Sequence, residues 1–316
     1  MIVCGDVGGT KALLGIAEVE NGWPRLIHFR RYECADFASF DDLFARFHGD
    51  IVGQANTVTG ACLALAGPID DGARTAKITN LPWTVDAAAC GAAFGLPTCV
   101  LANDFEAAAA GISAVAPGDL VTLQAGEPRD DGVRLVVGAG TGLGMAILVP
   151  HEGRFRVLPG EGGHVGFSPQ DDDQGRVLAA LRKIHGRVTT ERVVSGPGLA
   201  AIHRVLAGED VTPAAVAERA LAGDATARRS VDCFLAAYGA YASDMALAVM
   251  ARGGVFLAGG IAAKILPLMQ SGLFIRTFKD KAGHAPLAAK MPVHVVTDAE
   301  LGLKGAALLG AGMLET

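Results

Sequence analysis

Ile2-Val3-Cys4-Gly5-Asp6-Val7-Gly8-Gly9-Thr10-Lys11-Ala12-Leu13-Leu14-Gly15-Ile16-Ala17-Glu18-Val19 is the stretch on which the architecture turns. A short apolar run, a glycine-rich turn and a second apolar run predict a β-hairpin. The pattern returns at Arg134–Val137, then Gly138-Ala139-Gly140-Thr141-Gly142-Leu143-Gly144, then Met145–Val149. Gly138 falls on Gly5 and Gly142 on Gly9, so the chain reads as two related halves, each opening with a hairpin. Asp6 falls on Ala139. The halves share a scaffold but not a charge.

Outward from these hairpins, strands are expected at Thr57–Leu65, closed by Ala66-Gly67-Pro68, and at Thr98–Ala102, which runs into Asn103-Asp104-Phe105-Glu106 and a helix of alanines. Helices are expected at Asp41–Phe47, Arg176–His185, Pro197–Leu206 behind the N-cap Ser195, and Ala225–Ala251. Gly254–Ala258 is a strand leading through Gly259-Gly260 into a helix from Ile261, and Val293–Val296 precedes a last helix over Glu300–Leu314. No Pro/Ser-rich linker marks a boundary. The chain is therefore expected to cross between two α/β lobes more than once, a small one of residues 1–104 plus about 297–316 and a large one of about 105–296.

Composition narrows the function classes. The formal charge is −6, from 33 acidic against 27 basic residues, with no Lys/Arg run to serve a nucleic acid or an anionic membrane. The most apolar stretch, Phe234–Ile261, is broken by Asp244, Arg252 and paired glycines, which argues against a membrane span. Cys4, Cys34, Cys62, Cys90, Cys99 and Cys233 form no CxxC pair. Scattered thiols and a start without a signal-like segment lead us to expect a cytoplasmic protein.

Three glycine loops could carry chemistry: Gly5–Thr10, Gly138–Gly144 and Gly259-Gly260. None is a Walker A motif, and Leu143 stands where a dinucleotide fingerprint demands glycine. Each alone is equally an ordinary tight turn. Three together, two in duplicated positions, suggest backbone N–H groups gathered around phosphate, with Thr10 and Thr141 adding hydroxyls. Asp6 is out of place in an anion nest unless a cation accompanies the phosphate. It reads either as a holder of Mg²⁺, through water, or as an Asx-type turn acceptor. Asn103 fits a helix cap with Glu106 three residues on, which leaves Asp104 to project from a strand end, where α/β folds place ligands. Glu161-Gly162-Gly163-His164 and Glu191 offer polar groups suited to a polyhydroxylated ligand, though each could be a surface charge. Asp171-Asp172-Asp173 reads as first-turn acids that favour a helix dipole.

Taken in order, Gly5-Asp6-Val7-Gly8-Gly9-Thr10, Ile78-Thr79-Asn80, Asn103-Asp104-Phe105, Gly138-Ala139-Gly140-Thr141-Gly142-Leu143-Gly144, Glu161-Gly162-Gly163-His164, Glu191-Arg192-Val193-Val194-Ser195-Gly196-Pro197-Gly198 and Gly259-Gly260-Ile261 resemble the bacterial glucokinases of the non-zinc type, within the actin-like sugar-kinase ATPases. The resemblance covers almost the whole chain. It implies a two-lobed actin-like (ribonuclease H-like) α/β fold with duplicated mixed sheets flanked by helices, and a cleft between the lobes. It implies transfer of the γ-phosphoryl group of ATP to the 6-hydroxyl of glucose, with Mg²⁺, in a cytoplasmic homodimer. Carried over, Asp104 is the general base. Asn80, Asn103, Asp104, Glu161, His164 and Glu191 bind the sugar. Gly5, Asp6, Val7, Gly8, Gly9 and Thr10, with Gly140, Thr141 and Gly142, hold the phosphates, and Gly259-Gly260 lies against the adenosine. Lys11 departs from the Asn expected in close relatives. The zinc-bearing sugar kinases carry a cysteine cluster after their Gly-His, whereas here no Cys follows His164 before Cys233, so no zinc is expected. The rival readings are a kinase for mannose or an amino sugar, and a catalytically silent sugar-binding protein of the same fold.

Overall fold

The computed structural model describes residues 1–51, 58–70, 72, 74–96 and 98–314. β1 (Ile2–Val7), β2 (Lys11–Glu20) and β3 (Trp23–Glu33) come first. They are followed by α1 (Phe40–Ile51), β4 (Gly60–Leu65), β5 (Thr75–Lys77), β6 (Thr84–Asp86), α2 (Ala87–Phe94), β7 (Cys99–Asn103) and α3 (Asp104–Gly111). The chain goes on through β8 (Leu120–Gln124), β9 (Arg134–Ala139), β10 (Leu143–His151), β11 (Arg154–Gly160), α4 (Asp172–His185), α5 (Gly196–Ala207), α6 (Pro213–Leu221) and α7 (Ala225–Val249). It ends with β12 (Gly254–Ala258), α8 (Gly260–Lys264), α9 (Leu266–Met269), α10 (Leu273–Lys279), α11 (Ala285–Ala289), β13 (Val293–Val296) and α12 (Leu301–Leu314).

Two units result. One comprises Met1–Ala116, Phe155–Val157 and Asp298–Thr316, and the other Pro117–Arg154 and Leu158–Thr297. The first thus includes α3, because α3 packs along α12. Its sheet runs β3-β2-β1-β4-β7, with β1 antiparallel to β2 and parallel to β4. The second sheet runs β11-β10-β9-β12-β13-β8, with β9 antiparallel to β10 and parallel to β12. Apart from β8, an antiparallel edge strand on β13, the two orders are the same. The duplication expected from the glycine hairpins is therefore a duplication of sheet topology. A parallel strand beyond the hairpin needs a helical crossover, and these crossovers cover the sheet faces.

In the first unit, Val3 and Val7 face a core with Phe40, Leu43, Phe44 and Phe47 of α1, while Cys4 joins Leu303, Ala306 and Ala307 of α12 on the opposite face. Successive strand residues alternate faces, so Asp6 is directed to the α12 side. In the second unit the long helix α7 buries Phe234, Tyr238 and Tyr241 in a core with Leu135 and Val137 of β9. Its N-cap is Asp224, whose carboxylate accepts the Ala227 N–H at 2.7 Å. No described helix is long and apolar enough to cross a membrane.

The strands around the hairpins lie where expected, with ends shifted by up to three residues: β1 continues past Cys4 to Val7 and β4 begins at Gly60, while Thr57 lies outside the described residues. β3, β8, β11 and the β5–β6 pair had no clear sequence signal. β3 is an edge strand whose residues are mostly exposed or half-buried, so it lacks the apolar run that marks β1 and β4. Asp171, read as a first-turn acid, is instead the N-cap of α4 and accepts the Gln174 N–H at 2.8 Å, while Asp173 pairs with Arg229.

α12 and α3 cross with backbone against backbone. A Cβ built at Gly305 would overlap the Ala107 carbonyl, whereas one at Gly312, on the same helix, meets open space. Gly305→Ala should therefore cost roughly 1–3 kcal/mol or more through overpacking. Gly312→Ala should gain about 0.5–1 kcal/mol from helix propensity. Trp23 and Trp83 both lie in the first unit and are the chain's two tryptophans. Urea titrations followed by tryptophan fluorescence should thus show opposite shifts for the two variants.

Candidate active site

In the first unit, the polar residues gather at the C-terminal ends of β1, β4 and β7. β1 ends at Val7, and the turn proper is Gly8-Gly9-Thr10, closed by the Gly8 N–H on the Lys11 carbonyl at 2.9 Å. Cys34 braces this turn twice: its N–H donates to the Thr10 carbonyl at 2.9 Å and its thiol to the Gly8 carbonyl at 3.5 Å. Asn80, in the left-handed region at φ 67°, lies beside Gly9. Thr10 and Lys11 are exposed.

β7 delivers Asn103 and Asp104. The Asn103 Oδ1 caps α3, accepting the N–H groups of Phe105 at 3.0 Å and Glu106 at 3.3 Å, and its Nδ2 donates to the Gly67 carbonyl at 3.4 Å. Asp104 is the first residue of α3, and its Oδ1 accepts the Phe105 N–H at 2.8 Å. The Asp6 carboxyl is close enough to feel the Asp104 charge. Burial pushes the Asp6 carboxyl up to about 7, and Asp104 adds to the rise. Two carboxyls competing for one region are a donor set that suits a hard divalent cation.

The second unit repeats the arrangement with different side chains. Ala139 takes the place of Asp6 and is fully buried. The turn Gly140-Thr141-Gly142 is closed by the Gly140 N–H on the Gly142 carbonyl at 2.8 Å, and its Gly140 carbonyl accepts the Gly196 N–H at 2.8 Å. Glu191 turns toward this loop: its Oε2 accepts the Leu143 N–H at 2.9 Å. The Thr190 N–H donates to the Val165 carbonyl at 2.9 Å, tying the Glu191 turn to the Glu161–His164 segment. Glu161 and His164 are exposed, with their Oε2 and Nε2 atoms 3.6 Å apart. β12 runs parallel to β9, and Gly259, at φ 85°, sits where a Cβ would lie 2.7 Å from the Ala139 carbonyl. Only glycine meets both conditions.

Most of the expected site residues are thus collected into one cluster in each unit. Gly5 and Val7 are not. Gly5 is buried within β1, where a Cβ would lie 2.8 Å from Leu14 and 2.9 Å from Leu63, and Val7 is fully buried in the α1-side core. The glycine-rich string is partly strand, and its first glycine serves packing. The sequence reading missed Gly302, in the first turn of α12, which lies against the Asp6 carboxyl. A glycine just inside an apolar helix was the available signal.

The family model described as glucokinase matches residues 3–313. A Nostoc sp. glucokinase is 35% identical over 98% of this chain and 99% of its own length. The crystal structure of glucokinase from an Antarctic psychrotroph superposes with a TM-score of 0.86 at 29% identity, covering 98% of both chains. The chain belongs to the glucokinase family. Glucokinase from Balamuthia mandrillaris, solved in complex with glucose, shares the fold with a TM-score of 0.79 at 20% identity, over 98% of this chain and 93% of that one. Family membership carries the activity, phosphorylation of glucose with ATP, and the mixed α/β actin-like fold of two units is the fold of these relatives.

The raised Asp6 carboxyl sets a pH dependence. Between its ordinary 3.8 and about 7 the folded protein holds a proton that the unfolded chain has released. Stability of the ligand-free protein should therefore fall as pH rises through that window. Asp6→Asn should flatten this slope and raise Tm at pH 8 by roughly a few degrees. Thermal melts from pH 4.5 to 8 check it; a parent slope that rises with pH across that range would reverse the sign.

Proposed function

We propose that Asp104 is the general base of glucose 6-phosphorylation and that Asp6 serves the metal–nucleotide side of the same reaction. The observation that carries this reading is the pair of carboxyls near the C-terminal ends of β1 and β7, the two strands that flank β4 in the first sheet, each fixed by its own element. Asp104 is held at the start of α3 by the Asn103 cap and by its own bond to the Phe105 N–H. It accepts the proton of the 6-hydroxyl as that oxygen bonds to the γ-phosphorus and the bond to the leaving ADP oxygen breaks. Phosphoryl transfer asks mainly for positioning and charge neutralisation.

The other roles follow from the groups each residue has left. With the Gly8 N–H engaged on Lys11, the Gly9 and Thr10 N–H groups and the Thr10 hydroxyl are directed to phosphate oxygens. Thr141 and Gly142 of the paired loop do the same, and Gly259-Gly260 lies against the adenosine. Asn103 has used its oxygen in capping, so it offers its second Nδ2 hydrogen to the sugar. Glu191 has used Oε2 on Leu143 and offers Oε1. Glu161, His164 and Asn80 complete the polar set. Among the described residues no group of three or more His, Cys, Asp or Glu could hold a metal. Mg²⁺ would therefore rest on phosphates, water and Asp6, where it supplies neutralisation of phosphate charge. The reading further carries a cytoplasmic homodimer without zinc, in keeping with the lack of any Cys between His164 and Cys233.

Asp104→Asn should lower kcat by about 10² to 10⁴. The dissociation constant for glucose should stay within a few-fold of the parent's. Coupled ADP release and calorimetry read the two quantities, and more than a tenth of parental kcat in the variant would remove Asp104 as the base. Glucose should be preferred to mannose, its 2-epimer, by about tenfold to a few hundredfold in kcat/KM, because a misplaced hydroxyl leaves a buried polar partner unpaired. The same assay across a panel of hexoses checks this. Equal values would leave the kinase chemistry standing and remove the specificity.

A further inference from the structure

Asp6 is directed at α12 by the alternation of β1, and the first turn of that helix is shaped to receive it. A Cβ built at Gly302 would overlap the Asp6 Oδ2 and lie 2.7 Å from its Cγ. The carboxyl therefore occupies the space that any side chain at 302 would need. The start of α12 is itself anchored. The Asp298 carboxylate, 1% exposed, accepts the Glu300 N–H at 2.9 Å and pairs with the Lys304 ammonium at 2.7 Å, and Lys304 also reaches Glu300 at 3.9 Å. Farther along, Gly305 seats α12 on the Ala107 carbonyl of α3, the helix that opens with Asp104. One helix thus touches the Asp6 carboxyl and the scaffold that carries Asp104.

We propose that Gly302 is a positioning residue: its missing side chain seats the Asp6 carboxyl at the one place from which it serves the metal–nucleotide complex, with the Asp298–Lys304 pair anchoring the seat. This rests on the reading of Asp6 given above. Sequence offers a reason for the asymmetry between the halves. The equivalent of Asp6 is Ala139, a buried apolar residue that needs no such seat.

The test is a double-mutant cycle of Gly302→Ala, Asp6→Ala and the pair together, read in two ways besides turnover. The first is the Mg²⁺ concentration that half-saturates binding of a non-hydrolysable ATP analogue, by calorimetry. The second is Tm of the ligand-free protein. Gly302→Ala should raise the Mg²⁺ requirement at least about fivefold, lower kcat and leave the glucose dissociation constant within about twofold. Its Tm should fall, because the added methyl and the carboxyl compete for one space. In the Asp6→Ala background that space is free. Adding Gly302→Ala there should no longer lower Tm and should leave the Mg²⁺ requirement unchanged. If Gly302→Ala alone does not fold, recovery of folding in the double variant supports the seat, and failure of both overturns it. Parental Mg²⁺ dependence in Gly302→Ala, alongside a changed one in Asp6→Ala, overturns the positioning role and spares the role of Asp6. Parental Mg²⁺ dependence in Asp6→Ala overturns both.

Discussion

Two carboxyls within electrostatic reach of each other, Asp6 at the end of β1 and Asp104 at the start of α3, are the constraint around which the first unit is organised. Burial, with the charge of Asp104 adding to it, pushes Asp6 up to about 7. A protein gains no stability from such an arrangement, since an enclosed charge beside a like charge is costly. It persists because the elements carrying the two groups are over-determined. β1 is the central strand, paired on both sides, and α3 is capped by Asn103 and packed along α12. Strain at a functional position is held by surroundings that cannot relax.

α12 is the means of that hold. It packs on β1 and β4, seats Gly305 on the Ala107 carbonyl, and presents Gly302 to Asp6. A helix that returns from the far end of the chain thus completes the layer begun by the first strand. Burial of Leu303, Ala306 and Ala307 against Cys4, Cys62 and Ala64 keeps it there. The small residues on both surfaces bring helix and sheet close together, which explains the run of alanines in α3 and of glycines in α12 better than helix propensity does.

The second unit shows what becomes of the same topology without the charge. Ala139 packs with Val137 and Leu135 in an apolar core, and the polar work moves to the loops. There Glu191 steadies the glycine turn through Leu143, while Glu161 and His164 stand exposed on a segment tied to the Glu191 turn. The duplicated scaffold therefore carries two different surfaces. In the proposed reading both units offer groups to phosphate and to sugar hydroxyls, and only the first adds a carboxyl on its hairpin strand.

Much of this was legible in residues 2–19 and 134–149, because a strand, a glycine turn and a strand leave a period and a composition that survive without neighbours. The Asn103 cap, the Ser195 cap and the strand-end position of Asp104 were equally local, set by residues three apart in the chain. Edge strands such as β3 were not legible, since an exposed strand needs no apolar pattern and takes its conformation from pairing with β2. Nor was the division of labour within Gly5–Thr10: Gly5 packs against Leu14 and Leu63, side chains from two other strands, and only folding brings them to it. Gly302 is the extreme case. It lies almost the whole chain away from Asp6, and its meaning comes from the volume of a carboxyl pressed against it, a contact that no local pattern encodes.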